Sequence, residues 1–157
     1  VSRFLVLCLL LSSTVAFSQK KKQAADHWPG TYKLDVAQSQ ISGQGPAEET
    51  VVVSSATKAS IKYTIQGKDA QGNSYTMNFE GKVGTAAPQM AEGKKIADIT
   101  HQMPSPNQFT SQGRGADGST STGTITLAKD NKTITVHEHS KDPAGAERDQ
   151  TMVYVRQ

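Results

Sequence analysis

From Thr31 to the C-terminus the chain runs in short stretches where apolar and polar residues alternate, each stopped by Gly, Asn, Asp or Pro. A period of two puts every second side chain on one face of an extended strand. Ile61, Tyr63 and Ile65 form one expected core face, and Tyr75, Met77 and Phe79 form another. Ile125 with Leu127, and Ile134 with Val136, continue the pattern. In the last stretch Val153 and Val155 compete with Met152 and Tyr154 for the inside, and the second pair is expected there. Strands are predicted near 31–35, 48–55, 60–66, 73–83, 94–102, 107–114, 119–128, 132–140 and 148–156. Segments 84–93 and 103–107 interrupt the rhythm, and no long helix is predicted.

The breaks carry turn chemistry. KDAQG at 68–72 and KDPAG at 141–145 use one device twice: an Asp opens a tight turn that a left-handed Gly closes. Ala116-Asp117-Gly118 and Lys129-Asp130-Asn131-Lys132 read as further hairpins. Successive hairpins predict an all-β antiparallel meander of eight or nine strands. Closing it into an up-and-down barrel removes the two bare edges it would otherwise expose.

Composition and charge narrow the picture. Arg3 followed by the apolar run Phe4–Leu11, with Ala16 and Ser18 at cleavage-site positions, predicts a secretory leader over residues 1–18. The run is too short to span a bilayer, so no transmembrane segment is expected. Residues 19–27 are a basic lead-in whose lysines, Lys20–Lys22, could attach weakly to an anionic envelope surface. The folded domain is placed at 28–157, in the periplasm or the medium. The one cysteine, Cys8, lies in the leader, so no disulfide or thiol chemistry is expected of the domain. The net charge of +3 is spread along the chain, with none of the basic stripe that nucleic-acid binding needs. Hydrophobic residues make up 35 % and aromatic residues 6 %. That fills a small core but leaves little to line a large greasy cavity, so any ligand is expected to be small or partly polar.

Trp28-Pro-Gly30-x-Tyr32 resembles the Gly-x-Trp opening of lipocalin-like barrels. The string GTYKLDVAQSQISGQGP, followed by YTIQGKDAQGNSYTMNFEGKVG, is similar to a group of small secreted bacterial barrel proteins. Here Tyr32 replaces that group's usual Trp, and Gln38 its Lys. Tyr32-x-Leu34-Asp35-x-x-x-Ser39 also resembles the start of YceI-like periplasmic barrels, although GQGPAEETVVVSS then departs from their pattern. The lipocalin resemblance implies a structural plug of Trp28, Gly30 and Tyr32, with Arg148 or Arg156 lying across the aromatic ring.

Candidate chemistry is sparse. There is no nucleophile elbow, P-loop or dinucleotide-binding glycine pattern, and no cofactor is implied. Tyr63, Tyr75, Met77 and Phe79 are the expected inward residues of a pocket. Glu138, on the core face of its strand, would be its polar anchor. His137 and His139 share one strand face and could ligate Zn²⁺ or Cu²⁺ if His101, or else Asp98 or Glu80, supplied a third ligand. The other reading of that pair is a solvent-facing continuation of the Thr133, Thr135 face. Three functions therefore stand open: a non-catalytic carrier of a small apolar or amphipathic ligand, a structural module with a filled barrel, and a metal-binding protein.

Overall fold

A computed structural model describes residues 27–43 and 45–157. The expected leader and nearly all of the basic lead-in lie outside the described residues. Ten strands are found among the described residues: β1 (Gly30–Leu34), β2 (Glu48–Ala56), β3 (Ser60–Lys68), β4 (Ser74–Lys82), β5 (Ala87–Ala91), β6 (Lys94–Ser105), β7 (Gln108–Gly115), β8 (Thr120–Leu127), β9 (Thr133–Lys141) and β10 (Glu147–Arg156). Each pairs antiparallel with its chain neighbour, and β1 also pairs with β10, so the sheet closes into an up-and-down barrel. The only helical piece among the described residues is a 3₁₀ turn at Val36–Gln38.

The strand count corrects the expected eight or nine. The additional strand is β5, inside the segment read as an interruption. Its sequence, Ala-Pro-Gln-Met-Ala, has no β-branched residue and contains a proline, the usual mark against a strand. Pro88 is tolerated because β4 pairs only with Gln89–Ala91, and Pro88 is matched on the β6 side alone. A register shift between Gln89 and Met90 further blurs the alternation.

The paired turns form as expected. At Asp69 the carboxylate accepts from the Gln71 and Asn73 amides, and at Asp142 from the Ala146 amide. Gly72 and Gly145 then adopt φ of 84° and 92°, where a side chain would be strained.

One end of the barrel is solid. Trp28, Tyr32, Phe79, Phe109, Leu127 and Ile134 are all buried there. Trp28 meets Phe109 edge-on at 5.1 Å and donates its indole N–H to the Pro106 carbonyl at 2.8 Å. The Arg156 guanidinium carbon lies 4.7 Å from the Tyr32 ring centroid. The same side chain donates to the carbonyls of His27 (2.6 Å), Pro29 (2.7 Å) and Asn131 (2.7 Å), and to the Tyr32 hydroxyl. A Cβ at Gly30 would collide with this guanidinium, which is why the position is glycine. Arg156 is therefore the plug residue. Arg148 is exposed toward the opposite end, beside Gly43, and takes no part in the plug.

Replacing Arg156 with Met is expected to cost about 3 kcal/mol, because it strands several carbonyls that now share one charged donor. Arg148→Met should stay within about 0.5 kcal/mol. Urea unfolding midpoints of the two variants check this; equal midpoints would contradict the plug.

Candidate functional site

Several inward residues away from the plug are only half buried. Val51, Tyr63, Ile65, Met77, Ile125 and Val136 all point inside yet keep measurable exposure. The reason is a cavity of about 480 Å³, lined by these side chains and bordered at the far end by Gly45 and Pro46 of the β1–β2 connection. Tyr63, Tyr75, Met77 and Glu138 line it as the alternation predicts. Phe79 does not: at 2 % exposure it lies in the floor, with Tyr63 stacked on it at 5.3 Å. Met152 and Tyr154 face inward, settling the last strand in their favour.

The polar residues of the cavity are arranged in two groups. In the first, Glu49 is buried and its carboxylate accepts from two phenols. Tyr154 donates to Oε1 at 2.5 Å, and Tyr75 donates to Oε2. Glu49 and Tyr75 both lie opposite Gly67, on β2 and β4 respectively. Gly67 leaves the middle position empty, so the Tyr75 ring crosses β3 to reach the carboxylate; a Cβ there would meet the Tyr75 hydroxyl at 2.7 Å. Burial, together with the Glu49 charge, pushes both phenols well above their ordinary value. They therefore remain donors throughout the physiological range. A buried carboxylate without such donors would be costly.

The second group is a belt across five strands. Gln150 is paired with Glu138, Glu138 with Gly123, Gly123 with Ser111, and Ser111 with His101. The Gln150 side chain hydrogen-bonds Glu138. Burial raises the Glu138 pKa, the nearby Glu49 charge raises it further, and the Gln150 hydrogen bond opposes both. His101 is 4 % exposed, ringed by Phe79, Tyr63 and Phe109. Its Nε2 contacts the Tyr63 hydroxyl at 3.3 Å, while Nδ1 is buried with no partner among the described residues. Burial lowers its pKa to about 4, so the ring is neutral at physiological pH.

This geometry separates the three histidines considered as metal ligands. His101 is inside the wall. His137 and His139 are exposed outside it, where their Nδ1 atoms contact Thr151 and Asp149, each at 2.9 Å. Asp98 and Glu80 are engaged with Lys95 and Lys62. No group of three possible ligands converges among the described residues. A polar depression of about 650 Å³ does surround His137 and His139 on the outer wall. Another, of about 660 Å³, lies at the rim near Lys94, Arg114 and Arg148. The first is lined largely by polar side chains; the second mixes apolar and basic ones and shares Gln89, Ile99, Ser121 and Glu138 with the inner cavity, whose apolar walls surround a few converging polar groups.

Glu49, Gln150 and the inward placing of His101 escaped the sequence reading. All three extend the alternation of apolar neighbours: Glu49 with Val51 and Val53, His101 with Ile99, Gln150 with Met152 and Tyr154. A polar residue in phase with a core face was the available signal.

No protein-family model and no curated protein matches the chain. Solved structures do match in fold. A point mutant of the fluorescent protein UnaG aligns with a TM-score of 0.59 at 13 % identity, over 84 % of this chain and 97 % of that one. EF1p2_mFAP2b bound to DFHBI aligns at 0.53 and 14 % identity, over 85 % and 97 %. A Schistosoma mansoni fatty acid binding protein in complex with arachidonic acid aligns at 0.52 and 12 % identity, over 83 % and 96 %. The fold is thus a lipocalin-like barrel of the type these proteins share.

The histidine gives the site a pH signature. With a folded value of about 4 against an ordinary 6.5, the unfolded chain binds the extra proton first as pH falls. Stability is then complete above about 6.5 and declines toward pH 4, by about 2 kcal/mol between pH 7 and 5. The raised Glu138 has the opposite sign, favouring the folded state at low pH. His101→Gln should flatten the decline between pH 7 and 5 in urea unfolding, and an unchanged slope would contradict a buried neutral imidazole.

Proposed function

We propose that this protein is an exported, non-catalytic carrier that holds one small, largely apolar molecule inside the barrel. The observation that carries the proposal is the cavity of about 480 Å³, walled by Val51, Ile65, Met77, Ile125 and Val136 yet furnished with a few converging polar groups. Its volume lies in the range of small-molecule sites, and its composition has the usual division of labour. Apolar walls supply affinity at about 25 cal/mol per Å² removed from water, and fixed polar groups choose the ligand.

Several features favour holding over turnover. The phenols of Tyr75 and Tyr154 are committed to Glu49, and their raised pKa values keep them protonated. Tyr63 and His101 engage each other, with the imidazole too weakly basic to act near neutrality. The solid plug leaves the far end, beside Gly45 and Pro46, as the way in. The fold neighbours solved with arachidonic acid and with DFHBI agree with a barrel that holds small molecules. The leader over 1–18 supports export to the periplasm or medium, and Lys20–Lys22 would attach the carrier loosely to an anionic envelope surface.

Two measurements test this reading. The neutral apolar probe N-phenyl-1-naphthylamine should brighten on titration with purified full-length protein, saturating at one probe per chain. Val136→Trp, which fills the cavity, should weaken that binding at least tenfold while keeping a cooperative unfolding transition. A wild-type protein that leaves the probe dark would favour a filled structural module instead. For export, N-terminal sequencing of the protein secreted by a bacterial host should begin at Gln19, and an intact leader would contradict the assignment.

A further inference from the structure

The walls of the cavity carry one sign of charge. Glu49 and Glu138 both line it, and among the described residues no Lys or Arg does. His101 is neutral near pH 7, because burial lowers its pKa to about 4. A ligand bearing a carboxylate would place a third negative group in this interior with no cation to receive it, in surroundings where charges are weakly screened.

Glu138 also borders the rim depression, where the basic side chains nearest the entrance stand in solvent rather than in the cavity wall. Lys94, Lys95, Arg114, Lys141 and Arg148 are exposed on the rim, and Lys95 and Lys141 are paired with Asp98 and Glu147. Solvated charges of this kind act on encounter rather than on the bound state, and salt screens them.

The plug end of the same interior also carries an unmatched polar atom. His101 is 4 % exposed and lines the cavity, yet its Nδ1 has no hydrogen-bond partner among the described residues. It ends the belt that runs through Ser111 and Gly123 to Glu138. Protein interiors rarely leave such an atom unmatched. Tyr75 and Tyr154 add aromatic rings beside the Glu49 carboxylate, and a cation is favoured over both kinds of group.

We infer that the cavity selects an amphipath with an apolar body and a cationic head, such as a protonated alkyl amine, seated between Glu49 and Glu138. This deepens the carrier reading and rests on it. The apolar tail lies along Val51, Met77 and Val136, toward the plug. The ammonium donates to carboxylate oxygens that the phenols and Gln150 hold in place. A fatty acid is the wrong ligand for this barrel, despite the fold it shares with a fatty acid binding protein.

Competition against N-phenyl-1-naphthylamine at pH 7.5 tests the inference, using decylamine, decanol and decanoate below their micelle concentrations. Decylamine should displace the probe at least tenfold more tightly than decanoate, with decanol between them. That order runs against the net charge of +3 and the basic rim, so surface attraction cannot produce it. Glu138→Gln should shrink the amine-to-carboxylate ratio at least fivefold, and Glu49→Gln should do the same. The ratio is internal to each variant, so partial loss of folded protein does not imitate the effect. A wild-type ratio below tenfold, or one that both variants leave intact, overturns the inference while the carrier reading survives. Failure of the protein to bind the probe and all three ligands overturns both.

Discussion

Everything inside this protein depends on β1 closing the sheet. The strand is only five residues long, Gly30–Leu34, yet it pairs with β10 on one side and β2 on the other. Without it the sheet would expose two unpaired edges and no interior would exist. So short a strand offers few ladder hydrogen bonds, and Arg156 supplies the rest. By bonding carbonyls on both sides of the seam and covering Tyr32, it ties the last strand to the first. Gly30 is the sequence cost of bringing backbone and guanidinium that close.

Closure produces an interior of two unlike halves. At the plug, large rings from β1, β4 and β7 meet and exclude solvent: Tyr32, Phe79, Phe109, with Trp28 beneath them. Beyond them the side chains are too few and too small to meet across the barrel, and a cavity remains. Burying Glu49 is possible only because two phenols reach it, and one of these crosses β3 through the gap at Gly67. A glycine in mid-strand, ordinarily a weakness, is here the condition for a polar network. The same network gives the cavity its chemical character. Glu49 and Glu138 are the acidic groups of its lining, and among the described residues no Lys or Arg joins them.

Much of this was legible in the chain. Period-two alternation identified the inner faces of β3, β4, β8, β9 and β10, because a wall with core on one side and water on the other forces the pattern. Turn chemistry identified the hairpins at Asp69 and Asp142, since so few residues accept the required backbone angles. What escaped was what depends on neighbours across the sheet. β5 was hidden by Pro88, harmless only because β4 does not pair at that position. Glu49 drew no notice as the second residue of its strand, because Tyr75 and Tyr154, distant in sequence, are what hold it. Arg148 and Arg156 were indistinguishable as plug residues in a strand of known direction but unknown register. His101 and the pair His137, His139 could be grouped by residue type, but the wall stands between them. Glu138, a charge in phase with a core face, was the clearest sequence sign of the polar interior.

The measurement that bears most directly on this charged interior is the titration of Glu138, followed by the ¹³C shift of its side-chain carboxyl. A midpoint above the ordinary glutamate value is expected, because the group faces inward beside Glu49 and is largely withdrawn from water. Adding decylamine should lower that midpoint, since an ammonium beside the group favours its charged form. A midpoint at the ordinary value, indifferent to the amine, would mean that Glu138 points into solvent and would contradict the proposed cation-selective interior.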